Sequence, residues 1–166
     1  YRSTEDIIEE MRQLRTTYGI NTFPFWDDAF TALRPRLKEL CEAIQDESEL
    51  DGISWSCITP GNMIKPIDLD RMRAAGCCSV NFGIESGDVG IVKAIQKGQR
   101  PDDIRAAVKS AKAAGMTTVV NFMFGFPEEG TDELKCTQDL MSELAETTDY
   151  FNTRGVLVPF PGTRIY

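Results

Sequence analysis

SVNFGIESGDVGIVKAIQKGQ, residues 79–99, decides the fold of this chain. The segment begins as an apolar strand that stops at a loop rich in glycine, Gly83-Ile84-Glu85-Ser86-Gly87-Asp88. Apolar residues at helical spacing follow, which predicts a helix with Val89, Ile91, Val92 and Ile95 on one face. The sequence therefore places a carboxylate, Glu85, just after the carboxyl end of a strand.

The same succession of strand, polar loop and helix recurs along the chain. The further predicted strands are residues 20–26, 53–57, 117–124 and 150–158, and each follows a predicted helix. Such spacing requires right-handed parallel crossovers. No G-x-G-x-x-G or G-K-[ST] motif is present, and closed barrels of this kind have eight strands in ~250 residues. We predict an α/β fold, a partial and open TIM-like barrel of about five parallel strands, formed by residues 1–166 as a single domain.

Ligands of parallel α/β folds bind among the loops that follow the strands. Glu85 and Ser86 offer oxygen atoms in one such loop, and Asp27 and Asp28 offer a pair of carboxylates in another. A structural alternative stays open for each loop, because serine and aspartate are common helix caps. Ser86 or Asp88 could cap the following helix, and so could Asp28.

Composition excludes several classes of function. A net charge of −8 and a pI near 4.6 argue against a general nucleic-acid partner. No apolar run approaches the ~18 residues of a membrane span. The chain has no histidine and five cysteines that form no C-x2-C or C-x3-C pair, so it contains no complete zinc or iron–sulfur motif. The odd number of cysteines indicates a reducing environment, and we expect a cytoplasmic protein.

Four sequence blocks, in order, resemble the radical S-adenosylmethionine enzymes, in particular their cobalamin-associated branch. The blocks are residues 25–31 (FWDDAFT), 83–88 (GIESGD), 121–127 (NFMFGFP) and 159–163 (PFPGT). The resemblance implies a barrel in which a 4Fe-4S cluster binds S-adenosylmethionine and cleaves it reductively to a 5′-deoxyadenosyl radical. It also implies that cobalamin, where the branch uses it, is held by another domain.

The family's C-x3-C-x2-C cluster motif normally precedes the helix that begins here near Ser3. The chain therefore resembles strands two to six of the family's barrel, and we expect it to be inactive alone. By resemblance, Asp27 and Asp28 accept hydrogen bonds from the methionyl amine, and Glu85 and Ser86 contact hydroxyl or amine groups of the cofactor. The loop Gly125-Phe126-Pro127 would lie beside the adenine. The substrate is not specified.

Two other functions are compatible with the residues. In the first, Asp27, Asp28 and Glu85 are oxygen ligands for magnesium in a barrel lyase or aldolase. In the second, the chain is a non-catalytic module that assembles with another domain through an apolar inner face and an open sheet edge. An unpaired edge at residues 21–26 predicts self-association.

Overall fold

The computed structural model describes residues 2–163 and shows five parallel strands whose order in space equals their order in the chain. The strands are β1 (Thr22–Pro24), β2 (Ser54–Thr59), β3 (Cys77–Glu85), β4 (Thr117–Phe124) and β5 (Tyr150–Val156). The helices are α1 (Thr4–Tyr18), α2 (Arg34–Asp46), α3 (Pro66–Ala74), α4 (Val89–Ala94), α5 (Pro101–Ala113) and α6 (Thr131–Leu144). The strands form an open half-barrel with helices on its outer side, which confirms the predicted fold class.

Local chemistry sets the ends of several elements. The Ser3 hydroxyl accepts a hydrogen bond from the Asp6 N–H at 3.1 Å and so caps α1, as its position in the sequence predicts. Gly19 ends the same helix in the left-handed conformation, with φ 69°. Proline occupies the first turn of α2, α3 and α5, where its missing N–H would have no partner within the helix.

The side chains of successive residues in each strand point to opposite faces of the sheet. Val80, Phe82 and Ile84 of β3 point outward and are fully buried beneath the helices. Burial of each such side chain contributes about 1.5–3 kcal/mol. Trp55 on β2 is also fully buried, and its Nε1–H donates to the Ala75 carbonyl at 2.7 Å. The main core therefore lies between the sheet and the outer helices, and the concave face remains available for a site.

The concave face is polar, contrary to the apolar inner face that the assembly hypothesis expected. Half-buried residues on this face include Ser56, Ser79, Asn81 and Asn121. The predicted strand over residues 20–26 is also too long, because β1 pairs with β2 only over Thr22–Pro24. One backbone hydrogen bond to β2 continues past Pro24, from the Phe25 N–H to the Ser56 carbonyl at 2.8 Å.

Two predicted helix faces differ from those observed. Val89 is 59% exposed and Leu134 is 40% exposed, although both were expected to point inward. Each lies near the start of its helix, before the first buried residue of that helix.

No helix in the described part of the chain combines the length and apolar character needed to cross a lipid bilayer.

Candidate functional site

The carboxyl ends of the strands surround a cavity of about 590 Å³ on the concave face, which we call the central cavity. Residues from all five strands or the loops after them line it, among them Trp26, Asp28, Ile58, Asn81, Glu85, Asn121 and Asn152. Lys97, from the segment after α4, also lines it. This is the face on which the sequence predicted ligand binding.

Glu85 is the best-defined functional group in this cavity. Its backbone is left-handed, with φ 72°, a strained conformation for a residue other than glycine. Its side chain is 18% exposed, and its carboxylate forms an ion pair with the Lys97 ammonium group. The surrounding structure therefore holds a partly desolvated carboxylate in one place, at a small cost in backbone strain.

Gly83 provides the space that this ion pair occupies. A Cβ atom at Gly83 would lie 2.8 Å from Glu85 Oε1 and 3.1 Å from Lys97 Nζ, both closer than an ordinary van der Waals contact. The Glu85 and Lys97 side chains thus lie over β3 at Gly83, the one residue of this strand without a side chain. Lys97 was not predicted as a site residue, because it lies twelve positions after Glu85 and only tertiary packing brings it back.

Ser86 does not face the central cavity, although it was predicted to contact the cofactor together with Glu85. It is fully buried, and its hydroxyl lies 3.1 Å from the Thr137 hydroxyl of α6 and accepts a hydrogen bond from the Asp88 N–H. β3 ends at Glu85, and Ser86 follows the strand, so Glu85 lines the cavity while the Ser86 side chain packs against α6. The contacts give Ser86 a structural role in fixing the loop to α6, and Asp88 caps α4 through the Ile91 N–H at 2.8 Å.

Asp27 and Asp28 are both exposed but line different cavities. Asp28 lines the central cavity, whereas Asp27 lines a cavity of about 400 Å³ between β1 and α1. Helix α2 begins at Arg34 with Leu33 at its cap position, so Asp28 does not cap it. The structure therefore supports Asp28, more than Asp27, as a group that could meet a ligand near Glu85.

The predicted adenine loop lies beside a third cavity. Phe126 is buried, and Phe126 and Pro127 line a space of about 600 Å³ together with Ile95 and Gln96. Gly125 has φ 85°, and its N–H donates to the Glu129 carboxylate at 2.5 Å. The loop is thus held in a fixed turn at the carboxyl end of β4.

The described residues do not form a metal site. Residues 2–163 contain no group of three or more His, Cys, Asp or Glu side chains placed to hold a metal ion. The magnesium site proposed from Asp27, Asp28 and Glu85 is therefore wrong, because these carboxylates do not converge.

A 4Fe-4S cluster does not fit these residues either. Cys41, Cys57 and Cys77 are buried. Burial raises the pKa of Cys41 to about 12, and burial together with a hydrogen bond involving Cys57 raises the pKa of Cys77. Protonated, buried thiols are unsuited to bind iron, which requires thiolates.

S-adenosylmethionine, in contrast, fits the chemistry of the central cavity. The cofactor carries an ammonium group and ribose hydroxyls, which need acceptors. The carboxylates of Asp28 and Glu85 supply such acceptors from two sides of the same space.

Comparison with known proteins supports the sequence resemblance. The family model described as the radical SAM superfamily matches residues 1–141. An uncharacterized methyltransferase of Pyrococcus horikoshii is 35% identical over 164 residues, which cover 99% of this chain and 35% of that protein. The cytidylyl-2-hydroxyethylphosphonate methyltransferase of Streptomyces wedmorensis is 30% identical over 153 residues, covering 86% of this chain and 28% of that protein.

A solved structure shows the same fold. The radical S-adenosylmethionine methyltransferase TsrM of Kitasatospora setae, determined with cobalamin and a [4Fe-4S] cluster bound, superposes with a TM-score of 0.80. The sequence identity is 22%, and the match covers 92% of this chain and 31% of TsrM. The chain thus spans about a third of the length of the proteins that it matches.

Proposed function

Because the chain belongs to the radical S-adenosylmethionine superfamily, we propose that its central cavity binds S-adenosylmethionine, with Glu85 as the principal acceptor. The cofactors of this family are S-adenosylmethionine and a 4Fe-4S cluster. The observation that carries the proposal is the Glu85 carboxylate, which is partly buried at the cavity and held over Gly83 by Lys97. A preorganised carboxylate binds an ammonium or hydroxyl group without first having to be ordered.

Each remaining predicted residue has a role consistent with its position. Asp28 accepts from the cofactor's ammonium group, and Asp27 contributes negative charge from the neighbouring cavity. Gly125, Phe126 and Pro127 support the adenine from the end of β4, and Ser86 fixes the loop that carries Glu85. The cofactor, when bound, supplies the 5′-deoxyadenosyl group for radical chemistry.

For the whole protein we propose radical chemistry on a small substrate, with methyl transfer as the reaction class. Two relatives named above are methyltransferases, and the TsrM structure contains cobalamin, so cobalamin in a further domain is part of this proposal. Self-association is a second proposal for the isolated chain, since β1 lies at the edge of the sheet and pairs only with β2 in the described residues. Light scattering at micromolar concentration would show dimers, and a monomer would contradict it.

Cofactor binding can be tested by calorimetric titration of the chain with S-adenosylmethionine. Replacement Glu85→Gln keeps the shape of the side chain but removes its charge. A hydrogen bond to a charged group contributes about 1.5–3 kcal/mol, so we expect the dissociation constant to rise by about 10- to 150-fold.

Glu146→Gln is the matched control, because Glu146 is exposed and lies after α6, outside the cavities described above. It should bind like the original chain. Equal affinity of the Glu85→Gln and Glu146→Gln variants would refute the role of Glu85, and no binding by the original chain would refute binding of the cofactor without the cluster.

A further inference from the structure

Gln99 is a buried polar residue whose side chain joins the ends of two neighbouring strands. It is only 4% exposed. Its Oε1 accepts a hydrogen bond from the Gly61 N–H at 3.0 Å, and its Nε2 donates to the Gly83 carbonyl. Gly61 follows β2, whereas Gly83 lies near the end of β3. The chain next to Gln99 is held as well, because Asn62 Nδ2 donates to the Gly98 carbonyl at 2.7 Å.

The Gln99 carboxamide lies where the pairing between β2 and β3 stops. The last register pair of these two strands is Thr59 with Phe82. Pro60 follows Thr59 and has no N–H with which to continue the ladder. Gly83 is the next residue of β3, and its carbonyl receives the Gln99 amide instead. A carboxamide carries the same kinds of donor and acceptor as a peptide group, so Gln99 extends the pairing by one step.

The pairing of β3 with β4 is irregular at the same place. Gly83 pairs with Asn121, but the next pair is Glu85 with Phe122, so β3 contains one extra residue at this point. A bulge of this kind disrupts the ladder locally and bends the strand. The left-handed backbone of Glu85, with φ 72°, persists only where the surrounding structure over-determines it. The end of β3 therefore depends on restraints from outside the sheet.

Two such restraints come from one turn after α4. Lys97 forms the ion pair with the Glu85 carboxylate, and Gln99, two residues later, binds the backbone carbonyl of Gly83. The first restraint acts on the Glu85 side chain, and the second acts on the backbone two residues before it. Only Gln99 is therefore placed to fix the course of the chain that leads into Glu85.

We infer that Gln99 is a positioning residue for cofactor binding, because its carboxamide fixes Gly83 so that Glu85 presents its carboxylate to the central cavity. This inference rests on the proposed function, which assigns the bound cofactor to Glu85. Without the Gln99 hydrogen bonds, the Glu85 backbone relaxes towards the extended conformations that residues other than glycine prefer. The fraction of molecules competent to bind then falls, and the apparent affinity falls by the same factor.

Gln99→Met tests the inference, because methionine has a similar length but donates no hydrogen bond. Thr118→Val is the matched control, since Thr118 is fully buried at the start of β4 and its hydroxyl donates to the Asp149 carboxylate at 3.1 Å. Both variants lose a buried hydrogen bond, and both should melt below the original chain.

The two variants should differ at Glu85. A positive φ brings the amide proton and Hα of Glu85 close together, which gives a strong nuclear Overhauser effect between them in NMR spectra of the original chain. This effect should weaken in Gln99→Met and persist in Thr118→Val. In calorimetric titration, Gln99→Met should raise the dissociation constant of S-adenosylmethionine about tenfold, and Thr118→Val should leave it unchanged.

Gln99→Asn is a second test, because its carboxamide is one methylene shorter and cannot reach both Gly61 and Gly83. It should behave like Gln99→Met. An unchanged Overhauser effect at Glu85 in the Gln99 variants would overturn the inference, and so would an equal loss of affinity in Thr118→Val, which would show general destabilisation. Failure of the original chain to bind S-adenosylmethionine would count against the cofactor proposal alone, because the Overhauser effect is measured without the cofactor and still decides whether Gln99 positions Glu85.

Discussion

Replacement of Gly87 by alanine should destabilise the protein through one specific contact. Gly87 lies in the loop between β3 and α4, which packs directly against the backbone of α6. An added Cβ would lie 2.5 Å from the Cys136 carbonyl oxygen and 2.7 Å from the Thr137 Cα. Both are backbone atoms of a helix, so the loop and α6 must move apart.

The expected loss follows from the contacts that this movement disturbs. Overpacking at a tight site costs about 1–3 kcal/mol. The Gly87 N–H also donates to the Thr137 hydroxyl at 3.0 Å, and the Ser86 hydroxyl contacts the same group. Weakening these bonds adds up to about 1 kcal/mol. We expect a loss of about 3 kcal/mol, which corresponds to a fall in Tm of about 6–12 °C for a domain of this size.

Thermal unfolding followed by circular dichroism provides the assay, and Gly90→Ala is the matched control. Gly90 lies inside α4, and the nearest atom to its added Cβ is the side-chain oxygen of Asp88 at 2.9 Å. Alanine is favoured over glycine in a helix by about 1 kcal/mol, which offsets disturbance of the cap, so this variant should stay within about 1 kcal/mol of the original. If Gly87→Ala and Gly90→Ala have the same Tm, the loop does not approach the backbone of α6 as closely as described.

Two further predictions concern charged groups. Arg34 donates twice to the fully buried Asp68 carboxylate, at 2.9 Å for each bond. Arg34→Met should therefore lower the midpoint of urea unfolding, because it removes a partner of a buried charge. Adding Asp68→Asn should recover part of the loss, and no recovery would show that charge is not the cause. A hydrogen bond from Lys112, followed by one from the Thr118 N–H, lowers the pKa of Asp149. Its contribution to stability is therefore complete above the unfolded pKa of about 3.9 and is lost as the pH falls through the lower folded pKa. Asp149→Asn should thus be less stable than the original chain at pH 7, and the difference should shrink below about pH 4; a constant difference from pH 7 to pH 2 would contradict this assignment.

The sequence predicted the elements whose local signals agree with their packing. The predicted and observed bounds of β4 coincide at Thr117–Phe124, because β-branched and apolar residues fill both of its faces. Ser3 and Gly19 mark the ends of α1 by capping, which depends only on neighbours in the chain. The edge strand β1 was overestimated, since pairing with β2 rather than local composition limits it to Thr22–Pro24.

The candidate site was predicted only in part. Glu85 was predicted because a carboxylate directly after a buried strand is unusual. Its partner Lys97 was not predicted, because the short helix and turn between them do not reveal from sequence that Lys97 lies beside Glu85. Ser86 lies beyond the end of β3, after the left-handed Glu85, so strand alternation could not predict the different surroundings of these two side chains. Asn81 and Asn152 were not predicted as cavity residues. Each is a polar amide within a strand, and strand alternation could have placed it on the inner face of the sheet.

The agreement between strand order in the sheet and strand order in the chain has a consequence for how the protein is made. Each strand pairs with one that was synthesised only a few tens of residues earlier, so every closure is short and entropically inexpensive. The sheet can therefore assemble progressively during translation, one strand and helix at a time. The same sequential plan allows gene duplication or loss to add or remove a unit at either edge of the sheet without rethreading the others.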